Sequence, residues 1–487
     1  MRAMSVNVKE HLKLSFIYTA VAAFAPVLQV IIQPVYEGSD MLGAVDFSQL
    51  AITELFTSLI FAVSIFSMGN AISRFYYDVE PDSPGYHRLV SGVFSSILFR
   101  GMFLLVIAWI FRDYIGKLFH QPQLQDFSKY GFACIVTGVG RAVNITAAAL
   151  FRNEKKILSF VLVSMGLGVF RTGFQLAGLF FFEMSFIGYI TGSAIGTGLV
   201  AIAVLAYIYS KSGFRADRTL MREINRFAFP LTQYSVIVWA LTYADRFMLE
   251  RFPTDLGIYN TAVNFAAGIA IVLQGLQGAN QPEVFRVMKE GIAEKQDDIR
   301  QLSNILLMQS MIIVVFAILP TMLYLHLFYE TDVRQAYGLV SLVFMRSLLR
   351  TQFIVFSYPA YYLKKTKIFL YLNSGAMVIN LLLNYLLIPH FSYYGAIAAG
   401  LISDLIMVSG IFYYQKGIVD IKWSLRKTVL FPLTVILFTV VAEVVRINAG
   451  FDPFITAVLI TMLASSGLIY LYRNELNIFI RKRWKQS

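Results

Sequence analysis

Five arginines stand far from the ends of long apolar runs: Arg100, Arg141, Arg171, Arg346 and Arg350. A guanidinium keeps its charge at physiological pH and presents its N–H groups in a fork that fits two oxygens of a phosphate or carboxylate. The chemistry open to these residues is anion binding. Arg346 and Arg350 stand at i and i+4, on one helix face, and can clamp one anion together. At about 1.5 Å per residue, Arg100 lies roughly 18 Å from both Arg88 and Arg112, which bracket its run. A single Arg at the centre of an apolar span costs about 2.5–3.5 kcal/mol on insertion scales. Five of them are therefore expected to face a bundle interior or a wet cavity. Each has a structural alternative: a bond to a backbone carbonyl, or to one of the two carboxylates in the same runs, Glu54 and Asp404. Such a carboxylate can carry a proton or bind Na⁺, or simply pair with an arginine. The residues leave both readings open.

A second group is polar but uncharged. Asn260, Asn264, Gln274, Gln277 and Asn280 fall in one run, and Tyr234, Trp239 and Tyr243 in the run before it. Amides suit sugar hydroxyls and aromatic rings suit sugar faces; ordinary hydrogen bonding between helices explains the same residues equally well. Other chemistry finds no residues. The lone Cys134 reads as a small packing residue. No His/Cys spacing suits a metal, no phosphate-binding glycine loop is present, and no nucleophile motif occurs. No catalytic residue, metal or resident cofactor is expected.

The elements that carry these residues are long apolar helices. Of the 487 residues, 57% are hydrophobic and 14% charged, against roughly 45–50% and about 25% in soluble domains. Residues 14–36, 184–210, 256–282, 301–329 and 453–472 carry no formal charge at all. Each is long enough to span the hydrocarbon layer, which takes about 20 apolar residues. The periodicity predicts an all-α polytopic membrane protein of about 14 helices, near 14–34, 47–72, 89–110, 127–150, 157–182, 185–209, 225–248, 256–284, 301–327, 336–361, 367–389, 393–415, 427–446 and 453–472. The first run exceeds a signal-peptide h-region and is expected to stay as the first span. Taking helix-end residues with the loops, one alternating set of connections holds 29 Lys and Arg and the opposite set 6. Both termini are thereby expected in the cytoplasm. The net charge of +12 is mainly this bias, so nucleic acid is not an expected partner. Arg481, Lys482, Arg483 and Lys485 form a tail suited to anionic headgroups. Trp109 and Trp423, at helix ends, read as interfacial anchors.

The chain also repeats. Residues 185–195 align without gaps on 392–402, so that Gly188, Gly192 and Gly196 meet Gly395, Ala399 and Ser403. The basic turn Arg152, Lys155, Lys156 matches Lys364, Lys365, Lys367. Six helices per copy give a parallel repeat. The expected division is an N-terminal six-helix lobe over 1–210, a C-terminal six-helix lobe over 211–416, and two additional helices with the basic tail over 417–487.

Within this pattern stand Asp245-Arg246-Phe247-Met248-Leu249, then Gly257-Ile258-Tyr259-Asn260, then Asn380 to Asn384 leading to Pro389, and Tyr394-Gly395-Ala396-Ile397-Ala398-Ala399. These resemble the polysaccharide transporter family, the flippases of lipid-linked oligosaccharides. That family lies in the multidrug/oligosaccharidyl-lipid/polysaccharide exporter superfamily. The resemblance implies alternating access and a polyprenyl-diphosphate-linked glycan as cargo, in the bacterial cytoplasmic membrane. Membrane lipids, and a polysaccharide polymerase or glycosyltransferases, are the further partners it implies. On this reading Arg100, Arg141, Arg171, Arg346, Arg350, Asn260, Asn264 and Gln277 are the candidate cargo contacts, and Glu54 and Asp404 the candidates for H⁺ or Na⁺ coupling. A lipid II flippase and a multidrug/cation extruder are the rivals within the superfamily. A membrane glycosyltransferase would need a larger loop than any present, so no enzyme is expected.

Overall fold

The computed structural model describes residues 8–38, 40–215, 217–419, 421–473 and 475, the side chains of 8–19 and 22 excepted. The basic tail from Arg481 to Lys485 lies outside the described residues. Every helix expected from the apolar runs is present. In chain order they are α1 (Val8–Tyr36), α2 (Ala44–Ile65), α3 (Met68–Phe75), α4 (Pro84–Gly116), the single turn α5 (Pro122–Gln125), α6 (Phe127–Asn153), α7 (Ile157–Phe181), α8 (Phe186–Ser212), α9 (Arg218–Leu249), α10 (Pro253–Glu290), α11 (Gln296–Phe328), α12 (Val340–Tyr362), α13 (Lys367–Lys416), α14 (Phe431–Ala449) and α15 (Pro453–Leu471). Among the described residues, 11 helices are long and apolar enough to cross a membrane. The chain is a multi-pass membrane protein. Helix α9 falls outside that set because its uncharged stretch, residues 227–244, carries Pro230, Thr232, Gln233, Tyr234, Ser235, Thr242 and Tyr243, which lower its mean hydropathy.

Helix starts follow local chemistry. Ser83 accepts from the Tyr86 N–H at 3.1 Å, and Asp452 from the Phe454 N–H at 2.8 Å, each with a proline in the first turn. Asp217 accepts from Thr219 and Leu220 N–H, and Ser185 from Ile187 N–H. Such caps are each worth about 1 kcal/mol.

Two details were not expected. The second predicted helix is broken into α2 and α3 at Phe66 and Ser67, two consecutive non-glycine residues with φ of 44° and 53°. The eleventh and twelfth run together as α13, which turns sharply at Ser392 (φ 47°, ψ −128°). Ser392 stands where the aligned repeat places Ser185, the N-cap of α8, so the bend marks the same helix start in the second copy. The basic turns agree as well. Lys155 has φ 57° and Lys364 φ 58°. Lys156 N–H donates to Phe151 O at 2.9 Å and Lys365 N–H to Ala360 O at 2.8 Å.

By contacts the chain forms two units, Met1–Gly257 and Ile258–Ser487. The first takes in α1 to α9. Its core gathers Phe94, Val143 and Leu150 with Ile72, Ile208 and Ile224. Helix α9 is tied to α2: Trp239 Nε1 donates to Leu55 O at 3.1 Å, and Tyr243 Oη lies 2.9 Å from Ser58 Oγ. In the second unit α12 is buried along most of its length between α11, α13 and α14. The additional helices α14 and α15 are fastened there by polar ties. Glu443 accepts from Ser341 Oγ (2.6 Å) and Thr456 Oγ1 (2.9 Å) and pairs with Arg446. Lys427 pairs with Glu475 at 2.7 Å. Trp423, expected as an interfacial anchor, is buried instead, its ring 5.5 Å from that of Phe356.

A candidate anion site in the first unit

Small residues set the spacing of the site. Any Cβ on Gly138 of α6 would meet Thr57 O and Ile60 Cγ2 of α2, both at 2.8 Å, so α2 and α6 touch along their backbones. On the far side, Gly192 and Gly196 of α8 lie against the Phe174 and Phe170 carbonyls of α7. The larger side chains of these helices are thereby driven to their open edges. There Glu54 of α2, Arg141 of α6 and Arg171 of α7 converge.

Arg141 Nη1 donates to Glu54 Oε1 at 2.6 Å. Arg171 Nη2 stands 3.5 Å from Glu54 Oε2, and its Nε donates to Ser193 Oγ of α8 at 2.9 Å. Ser58 Oγ also donates to Glu54 Oε1, at 3.0 Å. One carboxylate thus serves two guanidiniums, leaving a net positive charge. The three side chains keep 22%, 23% and 35% of their surface accessible for Arg141, Arg171 and Glu54. Both arginines line a cavity of about 400 Å³ between α1, α6 and α7, together with Gln29, Asn144, Arg152 and Ser164. Gln29 is held by three bonds: its Nε2 donates to Thr172 Oγ1 and Gln175 Oε1, both at 2.7 Å, and its Oε1 accepts from Tyr189 Oη at 2.9 Å. A cavity with three guanidiniums and one nearby carboxylate favours anions.

The other arginines have different surroundings. Arg100 donates from Nε to Ser64 O (3.2 Å) and from Nη2 to Ser96 Oγ (3.0 Å), with its Cζ 4.6 Å from the Phe66 ring centroid. It serves the broken end of α2. Arg346 pairs with Asp404 at 2.9 Å, both side chains mostly buried, and its guanidinium covers Gly400. Arg350, one turn on, is exposed. Arg346, Arg350, Phe353 and Ile354 form an accessible stripe along the middle of α12.

Of the amides, Asn260 is buried, Gln277 is half-buried and Asn264 is exposed. Asn264, Ala267, Gln274 and Gly278 form one accessible face of α10, polar and small-sided. Asn280 instead donates to Leu302 O at 3.1 Å. Gln29 and Arg152 escaped the sequence reading. Gln29 is one of two amides, with Gln33, in an uncharged run, and Arg152 counts there as a loop charge. Pro26, three residues before Gln29, also lines the cavity.

Residues 85–340, more than half of the chain, match the family described as "Polysaccharide biosynthesis protein". The chain belongs to that family. Among solved structures, this polysaccharide biosynthesis chain resembles the lipid II flippase MurJ in an inward closed conformation, with a TM-score of 0.65, 13% identity, and coverage of 95% of this chain and 99% of that one. It resembles an inward-facing multidrug resistance MATE family transporter of the MOP superfamily, with a TM-score of 0.62, 13% identity, and coverage of 83% and 94%. A MOP superfamily transporter from Pyrococcus furiosus, whose binding pocket has reverse polarity, gives 0.56 at 12% identity, covering 83% and 94%. At such identities the likeness is one of fold. No curated protein matches the chain.

Proposed function

We propose that the chain is a flippase that carries a polyprenyl-diphosphate-linked oligosaccharide across the bacterial cytoplasmic membrane by alternating access, for surface polysaccharide assembly. The observation that carries this reading is the Arg141–Arg171 pair at a cavity in a member of a polysaccharide biosynthesis family. The paired guanidiniums suit a diphosphate, and the amide face of α10 suits sugar hydroxyls. The chain performs no covalent chemistry; glycosyltransferases build the cargo before it and a polymerase uses it afterwards. Helices α1–α8 and α9–α13 are the two copies of the repeat, with α14 and α15 added. The matching turns at Lys155 and Lys364 and at Ser185 and Ser392 support that scheme.

A multidrug/cation extruder is disfavoured by the three arginines at the cavity, a charge balance opposite to what a cation needs. A lipid II flippase shares the diphosphate and the fold of MurJ, and differs in the sugar-peptide head. The deciding experiment reconstitutes the purified protein in vesicles containing either a fluorescent polyprenyl-diphosphate oligosaccharide or fluorescent lipid II. Transfer of the oligosaccharide lipid, lost on Arg141→Ala, is the expected result. Transfer of lipid II alone would establish the rival.

A further inference from the structure

Two guanidiniums facing a cavity inside hydrocarbon are costly while the cavity holds no anion. In this chain they are not left so. Glu54 supplies an acceptor to each, Oε1 to Arg141 at 2.6 Å and Oε2 to Arg171 at 3.5 Å. These are the groups that a diphosphate would use, and a carboxylate and a phosphate compete for the same fork. Glu54 keeps about a third of its side-chain surface accessible, so it is not sealed into packing as Asp404 is. Its other neighbours are hydroxyls: Ser58, which donates to it, and Tyr243, which bonds Ser58. Among the described residues, Glu54 is the carboxylate that pairs with both arginines.

We propose that Glu54 is a resident substitute for the cargo anion. It neutralises Arg141 and Arg171 when the cavity is empty and gives them up when the diphosphate arrives. The proposal rests on the reading of Arg141 and Arg171 as the diphosphate site. Its physical content is an exchange of one acceptor for another. The cargo must displace Glu54 to bind, which weakens binding. After release, Glu54 returns to the arginines, so the empty protein can go back to its loading state without two bare charges. One group thereby lowers affinity and raises turnover.

The test separates those two effects. Binding of farnesyl diphosphate and of inorganic pyrophosphate is measured by calorimetry on the full-length protein in lipid nanodiscs. Transfer of a fluorescent polyprenyl diphosphate is measured in vesicles under multiple-turnover conditions. Glu54→Gln should bind both probes about tenfold tighter, the equivalent of one charge-assisted hydrogen bond no longer broken. Its turnover should fall by a similar factor. Should Glu54→Gln not be recovered folded, Glu54→Asp keeps the charge but cannot reach both guanidiniums, and should bind roughly threefold tighter by losing the longer contact. Unchanged or weaker probe binding in the folded variants, with the wild type binding normally, overturns the substitute role and leaves the diphosphate site standing. Absence of probe binding in wild type and variants alike overturns both.

Discussion

Arg141 and Arg350 hold the same position in two copies of one helix and turn. Each precedes by 14 residues a lysine in the left-handed region, Lys155 at φ 57° and Lys364 at φ 58°. Each is followed four residues later by an isoleucine, Ile145 or Ile354, on the same accessible stripe. The repeat therefore presents one arginine per copy at an accessible place on α6 and α12. Arg141→Ala and Arg350→Ala are expected to reduce transfer of a polyprenyl-diphosphate oligosaccharide by a similar factor, about tenfold to a hundredfold each, from the usual worth of a charge-assisted hydrogen bond. Lys in either place should restore part of it. Initial rates in vesicles, normalised to folded protein, check this. Full activity of Arg350→Ala would show that the equivalence is structural only.

Arg346 behaves differently, because its partner is Asp404. Removing one member of a buried pair costs about 3–5 kcal/mol, while replacing both by apolar groups is often neutral. Arg346→Met alone should lower the thermal midpoint in detergent strongly. Arg346→Met combined with Asp404→Leu should recover most of it. A double variant as unstable as the single one would mean that the pair is not what these residues contribute.

The break between α2 and α3 is expected to respond to glycine. A non-glycine residue in the left-handed region costs about 1–2 kcal/mol. Ser67→Gly should therefore raise stability by about 0.5–1 kcal/mol, the gain being offset by glycine's greater chain entropy. Thermal unfolding in detergent reads this directly. A loss of stability would place the broken helix outside the ground state.

The loop charges predict a sidedness that labelling can test. Single cysteines at Lys156, Lys211 and Lys365 should react with a membrane-impermeant thiol reagent only after the cytoplasmic face is opened. Cysteines at Gln123 and Phe391, both exposed, should react in intact cells. The natural Cys134 is buried and should stay silent. Two positions on the wrong side would break the scheme of six, six and two helices.

The spans were legible because hydrocarbon demands long uncharged runs, α9 among them through its uncharged stretch at residues 227–244. The register of the repeat was legible at Ser185 and Ser392, where small residues recur. The equivalence of Arg141 and Arg350 was hidden, since that register differs by two residues from the one joining Lys155 to Lys364. Glu54 and Asp404 were visible as carboxylates at depth, but not their partners. Arg346 and Asp404 are 58 residues apart and Glu54 and Arg141 are 87 apart, so only folding brings them together. The break at Phe66 and Ser67 carries no sequence signal, because neither residue favours a left-handed backbone.

The backbone contact between α7 and α8 has a mechanical meaning. Where Gly192 and Gly196 meet the Phe174 and Phe170 carbonyls, backbone rests on backbone with no side chain between them to act as a bearing. Sliding or rolling of one on the other would lift these surfaces apart at once, so the pair answers force as a single beam. Arg171 and Ser193, bonded across it, stay at a fixed separation through any working stroke. Whatever changes the grip on an anion must then come from Glu54 on α2 or Arg141 on α6, the members of the triad that this beam does not carry. The stiff wall carries one guanidinium of the two, and the helix interrupted at Phe66 carries the carboxylate.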